Sequence, residues 1–302
     1  NYTSDPDNPL TGQVWYNETA NTLKYFYNNP GAWATGGVLN TARRLLAGAG
    51  TQTAALAFGG GPPFTAITES YNGTSWTEVN DLNTARRQLA GAGTNTAALG
   101  FGGYNPTLPV SPIANTESWN GTNWTEVNDL NTARSRLAGA GIQTAALAFG
   151  GDPSTAVTET WNGTNWTEVN DLNTARRELA GAGTNTAALA FGASPSLALT
   201  ESWNGTNWTE VNDLNTGRGA LGGVGVDNTS ALAFGGEGPA VTGATESWNG
   251  TNWTEVADLG TARYALAGAG IQTAALAFGG QPSGTLTEEW NSGPATVTIT
   301  TD

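Results

Sequence analysis

One sentence of sequence, repeated, governs what this chain can fold into. The string Trp-Asn-Gly-Thr-Asn-Trp-Thr-Glu-Val-Asn-Asp-Leu-Asn-Thr-Ala-Arg stands whole at 119–134 and 161–176. It recurs with small changes at 71–86, 203–218 and 248–263. Each copy runs into a second block, Leu-Ala-Gly-Ala-Gly followed by Ala-Leu-Ala-Phe-Gly-Gly or a close variant. The lead aromatics Tyr71, Trp119, Trp161, Trp203, Trp248 and Trp290 are spaced by 48, 42, 42, 45 and 42 residues. A period in the forties is the size of one four-stranded propeller blade or one helical pair, and a single such unit cannot bury its own faces.

Strands are the better reading, because glycine recurs inside every unit beside Thr, Val and Trp, a mixture that helix interiors disfavour. In the unit that opens at Arg134 the expected strands are roughly 136–141, 144–149, 156–161 and 166–169. Asn162-Gly163 marks a tight hairpin between the third and fourth. The segment 104–113, with Pro106, Pro109 and Pro112, is the longest connection and accounts for the 48-residue spacing. Blades set around an axis need small residues where they converge and large ones between them. Leu-Ala-Gly-Ala-Gly suits the inner strand and the paired Trp suit the gaps.

A Gly-Gly ending an apolar strand, an aromatic about ten residues on and a Trp five further resemble the kelch repeat, as does Asp129-Leu130-Asn131-Thr132-Ala133-Arg134. The wording of the repeat, and the opening Gly12-Gln13-Val14-Trp15-Tyr16, are most like kelch-like proteins of marine tailed bacteriophages. The resemblance implies an all-β, kelch-like propeller of four-stranded blades. It also implies a virion or tail-fibre-associated place. The sequence shows no adaptor segment of the kind many cellular kelch proteins carry, so an adaptor role in ubiquitin transfer is not expected.

Arg43, Arg86, Arg134, Arg176, Arg218 and Arg263 each open one unit, so six blades are preferred, with seven as the alternative. The N-terminal segment complicates the count. Thr22–Thr35 reads as an extra third-and-fourth-strand pair after a strand at 13–17, and strands at 286–290 and 296–301 close the other end. Residues 1–38 are therefore read as strands that are appended or close the last blade, and 39–302 as the propeller.

Composition narrows the chemistry. The chain of 302 residues has no Cys, Met or His and a single Lys, Lys24. Cys- and His-based catalysis and Cys-ligated metals are excluded, and a Schiff base or P-loop has almost nothing to draw on. Because the copies share one ancestor unit, this absence counts as about one omission, not six. A net charge of −14 argues against nucleic acid and anionic membranes as partners. No run of 18 apolar residues spans a membrane. Neither a signal peptide nor an initiator Met opens the chain, which points to a fragment or a processed product.

Each recurring polar group has a structural and a chemical reading. The six blade arginines could form an anion-binding ring, but pairing with a fourth-strand acid such as Glu126 or Asp129 is the expectation. The pairs Glu78/Asp81, Glu126/Asp129, Glu168/Asp171, Glu210/Asp213 and Glu255/Asp258 could serve glycoside hydrolysis, yet a catalytic pair is singular and these recur. No cofactor and no metal site is expected; the Asn and Asp oxygens would suit only calcium. The Asn-Gly-Thr sequons serve turns. The ligand-contact candidates are the aromatics that break the consensus, Tyr104, Phe64 and Tyr264. The expected function is non-enzymatic: a virion or extracellular surface protein that binds a host-surface glycan or protein. The alternative is a structural module that oligomerises or packs on other virion proteins, and a carbohydrate-active enzyme ranks last.

Overall fold

A computed structural model describes residues 1–109 and 111–299. It is an all-β ring of six blades, and the seven-blade alternative is excluded. Five blades are four-stranded antiparallel sheets whose strands follow chain order from the axis outward. Blade 3 shows the pattern: Ala138–Ile142, Ala145–Phe149, Thr158–Trp161 and Trp166–Val169, within two residues of the sequence expectation. Asn162 Oδ1 accepts from the Thr164 and Asn165 amides in the hairpin, and Gly163 there has φ +92°.

The inner strands touch one another around the axis. An added Cβ on Gly91 would lie 2.7 Å from the Gly48 carbonyl, and one on Gly181 would lie 2.7 Å from the Gly139 carbonyl. Only the small inner residues allow this approach, as the sequence predicts.

Aromatic side chains fill the wider space farther out. Each fourth-strand Trp reaches into the preceding blade, where Trp166 packs on Phe101 at 4.9 Å and its indole N–H donates to Thr116 Oγ1 at 3.1 Å. Tryptophan supplies apolar area and one donor, and both are satisfied across the interface.

The last blade is completed from the other end of the chain. Its inner strands are Ala267–Ile271 and Ala274–Phe278, and its third is the long strand Thr287–Ile299. The fourth is Thr22–Thr35, a single strand with an irregularity between Asn29 and Ala32, rather than the strand pair expected from the sequence. Trp33 pairs with Trp290 and donates to Thr245 Oγ1 at 3.1 Å, so it holds the place of a fourth-strand Trp. Beyond the irregularity the two strands continue as a ribbon, and Val14–Asn17 adds a further strand. Asp5 braces this ribbon. Hydrogen bonds from Lys24, Asn17 and Trp15 hold its carboxyl down at about 2.

Candidate functional site

The six blade arginines do not form an open anion ring. They are buried, and each pairs with a third-strand glutamate of its own blade: Glu69, Glu117, Glu159, Glu201, Glu246 and Glu288. This corrects the expected fourth-strand partner. Glu126 is exposed and accepts from Asn115, while Asp129 accepts from the Thr116 amide at 3.0 Å. The fourth-strand acid pairs are thus divided between solvent and a backbone cap.

In blade 1, Glu69 accepts from the Asn40 amide, the Asn40 side chain, the Thr41 amide and Arg43. Burial pulls the pKa of Arg43, Arg86, Arg134, Arg176 and Arg263 below the usual value, and the adjoining glutamate opposes that pull. A buried pair whose carboxylate accepts this many hydrogen bonds is a fixed strut rather than a reactive group.

Antiparallel alternation puts the connections between second and third strands, and those between blades, on one face. The Asn-Gly hairpins and the first-to-second-strand loops lie on the other. The hairpin face repeats almost unchanged. Differences between copies gather on the first face, in the segments 61–66, 104–109, 111–113, 152–157, 194–197, 237–244 and 281–286, and in the two residues after each blade arginine.

The second of those two residues rings the channel mouth. Leu45, Gln88, Arg136, Glu178, Ala220 and Ala265 all have φ between +50° and +59°. Each amide donates to the carbonyl of its counterpart in the preceding blade: Gln88 to Leu45 at 2.8 Å, and so on round to Leu45 donating to Ala265 at 2.8 Å. The backbone is therefore fixed at the mouth while the side chain is free to differ.

All four arginines outside the blade struts stand here. Arg136 pairs with Glu178 at 2.9 Å and Arg177 with Asp152 at 2.6 Å. Arg87 lies over the Tyr104 ring, 5.5 Å from its centroid. Arg44 donates to the Tyr264 hydroxyl at 3.4 Å, and that hydroxyl donates to Gln281 Oε1 at 3.2 Å. Beside Arg44 an open cleft of about 370 Å³ lies between blades 6 and 1.

The three aromatics picked out from the sequence all fall on this face, half-buried, in different blades: Phe64 in blade 1, Tyr104 in blade 2 and Tyr264 at the entry to blade 6. Tyr264 and Tyr104 touch mouth arginines. The arginines themselves were missed by sequence reasoning. Their signal was variation at a fixed offset from a repeated residue. Among the described residues no cluster of acidic side chains could hold a metal ion.

Compared with known proteins, the chain matches no protein-family model and no curated protein.

Proposed function

We propose that the protein is a non-catalytic recognition module that binds a host-surface glycan through the variable face. In this reading it is a kelch-like, tail-fibre-like or surface component of a tailed-phage virion. One observation carries the binding reading: near-identical blades differ chiefly on one face. Framework and hairpin positions meet the same packing demands in every blade. The variable positions are freed from those demands, and they bring arginines, tyrosines and a cleft to one surface. Loops on a rigid scaffold suit recognition. The residue set offers no His or Cys for catalysis.

An array of bacterial surface glycans tests it, probed with the wild type and two variants. One variant joins Phe64→Ser, Arg87→Ser, Tyr104→Ser and Arg177→Ser on the variable face. The other joins Thr122→Lys, Thr164→Lys and Thr206→Lys on exposed hairpins. The proposal requires wild-type hits that survive the hairpin changes and are lost with the loop changes. An array blank with wild type, or hits lost only with the hairpin changes, contradicts it.

The ribbon favours a second reading, an assembly module. It exposes Val14, Leu23 and Ile299 on paired strands, and Leu10 just before them is exposed as well. Exposed apolar positions beside a free strand edge are a pairing surface. Light scattering of wild type and a Val14→Asp/Leu23→Asp variant tests this: the reading needs an oligomer that the variant loses.

A further inference from the structure

The repeat supplies its own example of an occupied arginine site. At the junction of blades 3 and 4, Arg177 donates to Asp152 at 2.6 Å. Asp152 directly follows Gly150-Gly151 and precedes Pro153. At the junction of blades 6 and 1, Arg44 holds the place of Arg177 and Gln281 holds the place of Asp152. Gln281 follows Gly279-Gly280 and precedes Pro282, and it bridges Tyr264 as Asp152 bridges Ser135.

The carboxylate is therefore missing at the Arg44 junction; it is missing at the Arg87 junction too, but there Gly61 holds the place of Asp152 and the guanidinium lies over Tyr104. Arg44 has only the long neutral contact with Tyr264, and it joins no ion pair among the described residues. The space is open as well. The cleft of about 370 Å³ is lined by Arg44, Gly61, Pro62, Gln281 and Gly284 among others. Gly284, whose carbonyl accepts the Arg43 amide, stands where Thr65, Thr155 and Thr242 accept the corresponding amide at other junctions.

We propose that this cleft binds the carboxylate of an acidic sugar, with Arg44 meeting it as Arg177 meets Asp152. The inference rests on the variable face being the recognition surface. A guanidinium pairs with carboxylate through charge-assisted hydrogen bonds. The cleft volume lies in the range of small-molecule sites. Its walls offer backbone polar groups, glycine surface and two proline rings, which suit the hydroxyls and flat face of a sugar ring. They offer no deep apolar socket for a peptide side chain. Tyr264 is a positioning residue: its hydroxyl links Arg44 to Gln281 and holds both at the rim.

Calorimetric titration with trigalacturonate, its methyl ester and sialyllactose tests the proposal. The variants are Arg44→Gln, Gln281→Asp and Thr164→Lys, each checked for an unchanged circular dichroism spectrum. Gln281→Asp rebuilds the Arg177–Asp152 arrangement inside the cleft and should block it while leaving the Arg44 guanidinium in place. The expected result is that at least one acidic probe binds wild type and the ester does not. Arg44→Gln and Gln281→Asp should each weaken binding about tenfold to a hundredfold, the size of one charged hydrogen bond. Thr164→Lys, on an exposed hairpin of the opposite face, should bind as wild type. Equal binding of acid and ester, undiminished binding in Gln281→Asp, or no binding of either acidic probe overturns the proposal. So does an acidic peptide that binds where both sugars fail. A neutral glycan captured by wild type and lost with the loop changes would overturn this site while leaving the recognition reading intact.

Discussion

Trp33 and Trp290 lie side by side on strands from opposite ends of the chain, with ring centroids 5.5 Å apart. Trp33 also packs edge-on against Phe234 of blade 5 at 5.2 Å. One residue near the N-terminus thereby completes the last blade and seals it to its neighbour. Trp33 is only half-buried, so Trp33→Ala should cost about 2–3 kcal/mol, somewhat below a fully buried aromatic truncation. Urea unfolding followed by tryptophan fluorescence checks this. Trp166→Ala, at a fully formed interface, should cost more.

The buried Arg–Glu struts predict an unequal response from two glutamates in one blade. Glu159→Gln leaves the Arg134 guanidinium buried without its counter-charge and should cost about 3–5 kcal/mol. Glu168→Gln changes an exposed side chain and should stay within about 0.5 kcal/mol of wild type. Chemical denaturation of both variants compares them directly.

These struts also show where sequence legibility ended. Asn-Gly hairpins, Gly-Gly strand ends and the small inner strand are local chemistry, and the blade count follows from them. The arginine partner is not local. Alternation normally tells a buried position from a solvated one, but a blade buries both faces of its third strand. Thr158, Glu159 and Trp161 are all buried, so the pattern Thr-Glu-Thr-Trp gave no sign that its Glu was the strut. The mouth was hidden for a related reason. Its left-handed positions carry Leu, Gln, Arg, Glu and Ala, and no shared residue type announces a shared backbone geometry.

That geometry makes a prediction of unusual sign. An L-residue with φ near +55° is strained, and glycine is not. Ala265, at φ +55°, has a small side chain whose removal loses little packing. Ala265→Gly should therefore raise stability by about 0.5–1 kcal/mol, after allowing for the greater freedom of glycine in the unfolded chain. The thermal midpoint reports it.

The inner strands predict the opposite for glycine. A Cβ on Gly139 would lie 2.6 Å from Phe101 Cζ and 3.0 Å from the Gly91 carbonyl. Gly139→Ala should destabilise by about 1–3 kcal/mol through overpacking of two blades at once. Urea unfolding midpoints measure the loss.

Tyr71 breaks the lead-Trp consensus at the closing junction, where its hydroxyl donates to Glu289 at 2.5 Å. Burial, then that carboxylate, pushes its pKa up to about 12. A tyrosine in the unfolded chain titrates near about 10. Between those values the folded state holds the extra proton, so this contribution is complete below about pH 10 and is lost as pH rises towards 12. In Tyr71→Phe that alkaline limb should be shallower. Denaturation midpoints across the range measure the slope.

The account's central claim is that the variable face meets the ligand. Hydrogen–deuterium exchange of the whole chain, with and without a saturating array glycan, tests it most directly. Protection is predicted in 61–66, 104–109, 152–157, 194–197, 237–243 and 281–286, with the hairpins at 120–123, 162–165 and 204–207 unchanged. Protection confined to those hairpins would contradict the claim.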